Sequence, residues 1–371
     1  MLFINNETVR DVLTIGEAID AQDAAFRGLN SGSAIHRPRI DMYVPTGREE
    51  DYYRWGTMEG ASKDLGVFAI RMKSDIVSWP VDQSGNWTED KYCVEPGTYC
   101  GLIFLFSTVN GEPLAIINDG ELQHMRVGAG GGLGARYLSR KDSSVVGMLG
   151  SGGMARTYLR AFCNERKITK VKVYSPTKGN RESYAAEMSD VLNIDVEPVS
   201  DPEAAVRGSD IVSTCTDAMQ PVLKGEWLEP GMHVTNLGGY ELDEKVFSMA
   251  TTSIRQGVGG AKFPEGDDRI QYGRGHSPVA YVAGSSAEMN RLPPSGQRMT
   301  DFATGKYPTF ADLAAGNASG RTSDDAITLY LNSGNQGLQF AAVGSVVYEK
   351  CRQLGLGQEL PTELFLQNIR D

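Results

Sequence analysis

A glycine-containing motif in the middle of the chain has residue types and a spacing suited to binding phosphate groups. The apolar run Val145–Leu149 predicts a buried strand, and apolar residues at helical spacing continue from Ala155 to Phe162. Between them stands the pattern Gly150-x-Gly152-x-x-Ala155. Such small residues permit a tight turn, a close approach of the backbone to a pyrophosphate, and close packing of helix on strand. With the helix N-terminus facing the phosphates, the motif predicts a dinucleotide-binding turn; the alternative is an ordinary tight turn.

The segment after the next strand bears on which dinucleotide fits. An NAD-preferring site places an acidic residue there, about 20 residues after the glycines, where it binds the ribose 2′-hydroxyl. No Asp or Glu occurs over residues 171–181. Ser175, Thr177, Lys178 and Arg181 instead offer hydroxyls and two cations. These groups suit a 2′-phosphate, so we expect NADP to be preferred, with NAD possible; alternatively, the two cations only form the solvated start of a helix.

The composition limits the class of protein. A chain of 371 residues with 40% hydrophobic residues suits two or three globular domains. Its net charge of −11 argues against nucleic acid or an anionic membrane as a partner. No apolar stretch reaches the roughly 18 residues of a membrane span, and the first residues lack a signal-peptide pattern, so we expect a cytoplasmic protein. Five scattered cysteines and four histidines show no metal-ligand spacing, and no metal site is expected.

Hydrophobic periodicity and turn residues outline the other elements. Residues 8–29 predict one amphipathic helix whose apolar stripe is interrupted by Gln22. Residues 35–75 alternate as strands do, residues 76–100 resemble a long loop, and Asn110-Gly111 marks a hairpin. The further elements expected are a helix over 121–138 that its glycines weaken, strands over 171–174, 211–215 and 233–237, a lid, insertion or disordered loop over 259–305, and a helix over 338–354.

The order of these elements predicts an α/β protein in which one domain interrupts another. The strand–turn–helix unit begins near residue 144, and the last helix is expected to rejoin the N-terminal part of the chain. We therefore expect a Rossmann dinucleotide-binding domain over residues 126–324, inserted into an α+β domain made of residues 1–125 and 325–371.

Five motifs outside the glycine turn are shared with a known family. They are His36-Arg37-Pro38-Arg39, Trp55-Gly56-Thr57-Met58, Asn110-Gly111-Glu112-Pro113-Leu114-Ala115, Met125-Arg126-Val127-Gly128-Ala129 and Lys224-Gly225-Glu226-Trp227-Leu228-Glu229-Pro230-Gly231. With them the chain resembles, over most of its length, the ornithine cyclodeaminase/mu-crystallin family, which also contains alanine dehydrogenases and imino acid reductases. The resemblance implies a substrate-binding and dimerisation domain plus a Rossmann domain, with the active site in the cleft between them. It also implies a small amino or imino acid as substrate and a homodimer.

The resemblance further implies a set of cations that holds a substrate carboxylate. In the family two arginines and a lysine do this, and Arg39 and Arg126 match the arginines. The family lysine falls on the strand that contains Arg71 and Lys73, which share one strand face, so either can occupy its position. Bidentate geometry favours arginine for carboxylate binding. For each cation the alternative is a surface charge or a structural ion pair.

The chemistry of the family also needs a proton donor beside the substrate. Lys73, or a water held by it, is the expected donor, because partial burial can lower the pKa of a lysine. We therefore expect catalytic roles for Lys73 and Arg126. Gly56 and Met58 of the second motif are expected beside the substrate.

The expected cofactor contacts lie at the ends of the Rossmann strands. Thr214 and Thr216 are expected to line the nicotinamide ribose, or else to be structural turn residues. Asn335-Gln336-Gly337 stands either against the cofactor or substrate, or only at the tight start of the last helix. The full set of expected cofactor-binding residues is Gly150, Gly152, Gly153, Met154, Ala155, Ser175, Thr177, Lys178, Arg181, Thr214, Thr216 and Gly238.

Two departures from the family pattern affect the expected reaction. Cyclodeaminases have a glutamate where this chain has Gly56, and an aspartate where it has Tyr240. Glu241 or Asp243 could replace that aspartate, or could cap a helix. Without these carboxylates we expect hydride transfer at Cα between an α-imino or α-keto acid and an α-amino acid. The alternatives are a cyclodeaminase of ornithine or a related diamino acid, and a crystallin-like NADPH-binding protein with little turnover.

Overall fold

The computed structural model describes residues 1–81, 85, 87–258, 261, 263, 266–293 and 305–370, which form two compact units. Unit 1 comprises Met1–Arg126, Gly259–Gly296 and Asn335–Asp371, and unit 2 comprises Val127–Val258 and Gln297–Gly334. Among the described residues, no helix combines the length and the apolar character needed to cross a membrane.

The strands in chain order are β1 (Leu2–Ile4), β2 (Ala34–Pro45), β3 (Tyr52–Ser62), β4 (Val67–Ser78), β5 (Asp90–Cys93), β6 (Glu95–Pro96), β7 (Cys100–Ser107), β8 (Pro113–Asn118), β9 (Val145–Leu149), β10 (Lys170–Tyr174), β11 (Asp195–Pro198), β12 (Ile211–Thr214), β13 (His233–Asn236), β14 (Thr252–Arg255), β15 (Ile270–Arg274), β16 (Ser277–Val282), β17 (Thr328–Leu331) and β18 (Gln358–Glu359). The α-helices are α1 (Asn6–Val12), α2 (Ile15–Ser31), α3 (Asp119–Leu138), α4 (Gly153–Glu165), α5 (Lys178–Leu192), α6 (Pro202–Val206), α7 (Glu244–Met249), α8 (Ser286–Met289), α9 (Phe310–Ala314) and α10 (Gln336–Leu354), and two 3-10 helices span Gly225–Trp227 and Thr362–Phe365.

Unit 2 is built on a seven-stranded sheet in the order β11-β10-β9-β12-β13-β17-β14, in which every neighbouring pair is parallel. Its central strands β12, β13 and β17 are buried on both faces, as in sheets that helices cover on both sides. The strand order reverses between β9 and β12, which is where such folds bind their ligands. The predicted α/β class with a Rossmann unit is confirmed.

Unit 1 contains an eleven-stranded, mostly antiparallel sheet with the main order β15-β16-β2-β3-β4-β7-β8-β1-β18. Helix α10 packs on β3, β4 and α2, so one sheet face is covered. Strands β3, β4 and β7 alternate between buried and half-buried residues, because their side chains point alternately to the two faces. The hairpin predicted around Asn110-Gly111 is confirmed by the antiparallel pairing of β7 with β8.

The single helix predicted over residues 8–29 is wrong, because the chain breaks between α1 and α2. Thr14 begins α2 with a capping box in which its side chain and that of Glu17 each bond the other's backbone. Gln22 on α2 is fully buried and donates from Nε2 to the carbonyl oxygen of Arg126 at 2.7 Å. Its polar group therefore has a partner inside the core.

Two segments expected to be irregular contain strands of unit 1. Within 76–100, β4 continues to Ser78, and β5 and β6 follow. Within 259–305, β16 pairs with β2 and carries β15 into the same sheet, so Gly259–Gly296 belongs to unit 1 and the expected boundary at 126–324 is corrected there. The parts of these predictions outside the described residues are 82–84, 86, 259–260, 262, 264–265 and 294–304.

Helix α3 runs through its glycines without a break, although we expected them to weaken it. A Cβ on Gly128 would lie 2.6 Å from the backbone of Thr157, and one on Gly134 would lie 2.5 Å from the ring of Tyr330. The glycines allow α4 and β17 to approach the helix, and this packing offsets their low helix propensity.

Candidate functional site

The turn after β9 has the geometry expected of a phosphate-binding loop. Gly150 has φ +116°, and a Cβ on it would lie 2.2 Å from the carbonyl oxygen of Cys215. Gly152 is the N-cap of α4 and makes no side-chain capping bond, and a Cβ there would meet no protein atom within 4 Å. The first turn of α4 carries no acidic residue. The helix N-terminus can therefore receive an anion.

The rest of the motif joins this turn to the core of unit 2. Ala155 is fully buried, and the hydroxyl of Tyr184 donates to its carbonyl oxygen at 3.0 Å. Met154 packs against the same core, and Gly153 is exposed in the first turn of α4. The strand, turn and helix thus form one packed unit, as the spacing predicts.

The segment after β10 brings together part of the group expected to bind a 2′-phosphate. The hydroxyl of Ser151 in the glycine turn donates to the hydroxyl of Ser175 at 3.0 Å, and Arg181 Nη1 donates to the carbonyl oxygen of Ser175 at 3.0 Å. Thr177 is the exposed N-cap of α5. The side chain of Lys178 is 75% exposed and lies 3.7 Å from Glu182.

A buried carboxylate ties two loops of unit 2 together. Glu241 is fully buried, and its Oε1 accepts from the N–H and the hydroxyl of Thr216 at 2.6 and 2.7 Å. Its Oε2 accepts from the Thr214 hydroxyl at 2.8 Å, from the Leu237 N–H at 2.9 Å and from the Gly238 N–H. Burial raises the pKa of Glu241, and these hydrogen bonds oppose that change. Thr214, Thr216 and Gly238 therefore lie together at the ends of β12 and β13, in agreement with their alternative role as structural turn residues.

Of the two acidic residues considered as replacements for an aspartate, only one caps a helix. Asp243 Oδ1 accepts from the Val246 N–H at 2.9 Å at the start of α7, and from the Gly225 N–H at 3.0 Å. Glu241 instead anchors loops, a role that sequence reasoning missed.

In unit 1, two charged residues and two glycines from four neighbouring strands form a row on one sheet face. Asp41 on β2 stands opposite Gly56 on β3, Gly56 opposite Lys73 on β4, and Lys73 opposite Gly101 on β7. Directly opposed residues of antiparallel strands point to the same face. The expected substrate residues Gly56 and Lys73 are therefore neighbours, and Met58, which is buried, lies opposite Arg71.

Two of the expected clamp arginines are paired with carboxylates of the chain itself. Arg39 Nε lies 2.9 Å from Asp41 Oδ1, and its second bond goes to Oδ2. Arg71 Nε donates to Asp119, whose other oxygen accepts from the Tyr99 hydroxyl at 2.8 Å. These contacts match the ion-pair alternative, and binding of a substrate carboxylate by either arginine stays a prediction.

Lys73 is nearly buried among these charges. Its side chain is 11% exposed, and Nζ lies 3.7 Å from Asp75 Oδ2. Burial lowers the pKa of Lys73 well below its ordinary value, and the guanidinium groups of Arg54 and Arg39 add to this. The carboxylates of Asp75 and Asp41 act in the opposite direction. Such a lysine gives up its proton at a lower pH than an exposed lysine does.

A second buried arginine completes the network around Lys73. Arg54 is fully buried and forms two hydrogen bonds with Asp75, at 2.9 and 2.7 Å, and one with Glu89 at 2.6 Å. Glu89 Oε1 also lies 3.1 Å from His276 Nδ1. The carboxylate of Asp75 is thereby held beside Lys73.

Arg126 lies on α3 in unit 1 and contacts the first turns of α10. Its Nη1 donates to Gln339 at 2.8 Å, its Nη2 donates to Gln123 at 2.8 Å, and its guanidinium carbon is 4.9 Å from the centroid of the Phe340 ring. Gln339 also donates to Gln22 at 2.8 Å. The position of Arg126 is thus fixed by amides and an aromatic ring.

The segment Asn335-Gln336-Gly337 agrees with a tight start of the last helix. Asn335 has φ +57° and is buried, and α10 begins at Gln336. A Cβ on Gly337 would lie 1.9 Å from the carbonyl oxygen of Glu59. The contact of α10 with β3 explains this glycine, and contact with a cofactor or substrate stays a prediction.

Sequence reasoning missed the carboxylates that surround the cations. Asp41 and Asp75 stand two residues after Arg39 and Lys73, and alternation along a strand could have placed each pair on one face. Glu89 comes from a distant loop, and no local signal pointed to it. Within the described ranges, no three or more His, Cys, Asp or Glu side chains are grouped so that they could hold a metal ion.

Comparisons with known proteins agree with this arrangement. Residues 88–253 match the sequence profile of the ornithine cyclodeaminase/mu-crystallin family. A putative dehydrogenase of Rhizobium meliloti is 28% identical over 92% of this chain and 92% of its own, and the alanine dehydrogenase of Archaeoglobus fulgidus is 26% identical over 97% and 98%. The structure of Delta(1)-pyrroline-2-carboxylate reductase from Thermococcus litoralis, in complex with NADH and L-proline, superposes with a TM-score of 0.73 at 24% identity, covering 97% of this chain and 100% of that one. Over residues 88–253 the chain is thus similar to the ornithine cyclodeaminase/mu-crystallin family, as the motifs in the sequence indicate.

Proposed function

We propose that the chain is an NAD(P)-dependent oxidoreductase that interconverts an α-imino or α-keto acid and an α-amino acid by hydride transfer at Cα. The observation that carries this proposal is the nearly buried Lys73, held among paired arginines and carboxylates on one sheet face of unit 1. The relatives named a putative dehydrogenase and an alanine dehydrogenase support the same class of reaction.

A nicotinamide dinucleotide fits the turn of unit 2. Gly152 leaves open space beside an uncapped helix N-terminus, and Gly150 brings the backbone close to Cys215. When bound, the cofactor supplies or accepts the hydride. Because residues 171–181 contain no carboxylate and Arg181 lies against Ser175, we propose a preference for NADP over NAD.

The side chains of unit 1 would bind the acid and handle the proton. Arg126 and Arg39 attract the substrate carboxylate, and the fixed surroundings of each guanidinium orient it. In the reductive direction, a hydride adds to Cα and the Lys73 ammonium gives a proton to the imine nitrogen, which leaves an amino acid and a neutral lysine. In the oxidative direction Lys73 takes that proton back.

The loss of NADPH absorbance with a panel of α-keto acids, each with ammonia or methylamine, tests the proposal. We expect oxidation with at least one acid–amine pair, and a Lys73→Met variant should lose about a hundredfold or more in kcat because it has no proton to give. Lys63→Met is the matched control, since Lys63 is exposed and should leave the rate unchanged. Tight NADPH binding without turnover of any acid would contradict the proposal and favour a crystallin-like binding protein.

One observation favours cyclodeamination as a second candidate function. The reaction needs a carboxylate beside the lysine to handle a second amine, and Asp41 brings one to the site although residue 56 is glycine. Conversion of ornithine to proline and ammonia, without net oxidation of the cofactor, would support this candidate over the first.

We propose that the protein is a homodimer formed through the uncovered sheet face of unit 1. The residues of this face that alternate with the buried ones are apolar and half-buried: Trp55, Phe68, Ile70, Met72, Leu102, Phe104 and Phe106. An apolar surface of this kind is typical of a permanent interface. Sedimentation should show a dimer that Phe104→Asp dissociates, and a monomeric wild-type protein would reject this interface. We also propose a cytoplasmic location, which the five free thiols support.

A further inference from the structure

The row across β2, β3 and β4 puts a carboxylate and an amine on either side of a glycine. Asp41 stands opposite Gly56, and Gly56 stands opposite Lys73. Strand β3 lies between the other two, so the side chains of Asp41 and Lys73 both border the space above Gly56.

The missing side chain of residue 56 is what makes room for the carboxylate. A Cβ on Gly56 would lie 2.2 Å from Asp41 Oδ1 and 3.6 Å from Lys73 Cε. Any other residue at position 56 would displace the Asp41 carboxylate from its present position.

The Asp41 carboxylate is rigidly held. Asp41 is fully buried, and Arg39 donates to both of its oxygens. The Ser277 hydroxyl donates to Oδ2 and lies 2.6 Å from the hydroxyl of Tyr43, which is also fully buried. A charge fixed in this way acts on its neighbours without reorganisation.

We propose that Asp41 is a positioning residue for the reaction: from β2 it supplies the fixed negative charge that keeps Lys73 protonated beside the substrate. The inference rests on the proposed function, in which Lys73 gives a proton. Asp41 on β2 would thus supply the carboxylate that cyclodeaminases have at the position of Gly56.

The charges around Lys73 give the direction of the effect. Arg39 on β2 and Arg54 on β3 repel its proton, and Asp41 on β2 and Asp75 on β4 attract it. Glu89 also interacts with Lys73. Burial lowers the pKa of Lys73 and the Asp41 carboxylate opposes that change, so loss of the Asp41 charge must lower that pKa further.

The pH profile of kcat in the isosteric variant Asp41→Asn is the first test. The alkaline limb, where Lys73 loses its proton, should move to lower pH by about one unit or more, so that kcat above the limb falls about tenfold while KM for the acid changes less. Glu59→Gln is the matched control: Glu59 is another buried strand carboxylate paired with an arginine, Arg37, and its removal should leave the limb in place. An unmoved limb in Asp41→Asn overturns the inference.

Relocating the carboxylate separates charge from shape. In the double variant Asp41→Ala/Gly56→Asp, the new carboxyl carbon lies one bond, about 1.5 Å, from the Cβ of residue 56. In the wild type, Asp41 Oδ1 lies 2.2 Å from the position of that Cβ. We expect Asp41→Ala alone to move the alkaline limb of the kcat profile to lower pH, and the double variant to return it toward the wild-type pH. If circular dichroism shows the double variant unfolded, the result from Asp41→Asn still decides.

A readout that needs no turnover distinguishes failure of this inference from failure of the proposed function. The pH dependence of Lys73 acetylation by acetic anhydride, followed by mass spectrometry, reports the pKa of the amine directly. We expect a lower midpoint in Asp41→Asn than in the wild type. Equal midpoints overturn the inference whatever the activity; a lowered midpoint in an enzyme that reduces no acid supports the pairing and rejects the proposed function.

Discussion

Replacing Glu241 with glutamine removes the charge that holds two loops of unit 2 together. One carboxylate oxygen accepts from the Thr216 N–H, and the other accepts from the N–H groups of Leu237 and Gly238. Glutamine has the same shape, but one of its terminal atoms is an NH2 group, which cannot accept. Whichever way the amide turns, at least one of these N–H groups faces a donor, whereas the threonine hydroxyls can rotate and accept.

The size of the effect follows from this count of lost partners. A buried donor without a partner costs about 1–3 kcal/mol, and hydrogen bonds to a charged group are the stronger kind. We therefore expect Glu241→Gln to lower the free energy of unfolding by about 1–3 kcal/mol. Because Thr214 and Gly238 lie at the ends of β12 and β13, we also expect a higher Kd for NADPH.

Urea unfolding followed by circular dichroism, together with a fluorescence titration of NADPH, measures both effects. Asp243→Asn is the matched control, since asparagine caps a helix as well as aspartate does, and its stability should stay within about 0.5 kcal/mol of the wild type. The reasoning is refuted if Glu241→Gln unfolds at the same urea concentration as this control and binds NADPH as tightly as the wild type.

Four further substitutions test other parts of unit 2. Gly150→Ala should lower the free energy of unfolding by about 1–3 kcal/mol and weaken NADPH binding, because Gly150 has a positive φ and lies against Cys215. Gly152→Ala should weaken NADPH binding but leave thermal unfolding nearly unchanged. Equal behaviour of the two variants would contradict the assigned geometry. Ser175→Asp should shift the ratio of KM values toward NADH by about tenfold or more, and an unchanged ratio would count against the 2′-phosphate site. Burial, together with the nearby Arg321, lowers the pKa of His233 to about 3. Between pH 6.5 and 5 the imidazole therefore takes up a proton only in the unfolded chain. The free energy of unfolding should fall by about 2 kcal/mol over this range. Urea titrations at the two pH values should show this loss in the wild type and a smaller one in His233→Asn.

The strand–turn–helix unit around Gly150 could be predicted from the sequence because its determinants are local. The apolar strand β9, the glycines and the buried Ala155 all lie within a short stretch, and each is required by backbone conformation or close packing. The break before α2 was missed because the apolar periodicity continues across Thr14, and only the capping box with Glu17 marks the new start.

The charged cluster of unit 1 depends on long-range pairing, which periodicity does not reveal. Asp41 meets Ser277 across 236 residues of sequence, because β16 joins the sheet beside β2. The resemblance to a family directed attention to Arg39 and Lys73. The carboxylates that determine how these cations behave became visible only with the strand register.

Strand pairing in unit 1 also affects how the chain folds as it is made. Strands β2, β3 and β4 are synthesised early, but α10, which covers one of their faces, follows the whole of unit 2, and β18 pairs with β1 from the far end of the sequence. At a synthesis rate of about 5–20 residues per second, the apolar face of these strands stays exposed for roughly tens of seconds before α10 is made. Unit 2 can complete its sheet before α10 emerges, so we expect the nascent chain to hold a folded unit 2 next to an exposed, aggregation-prone sheet that binds chaperones until α10 arrives.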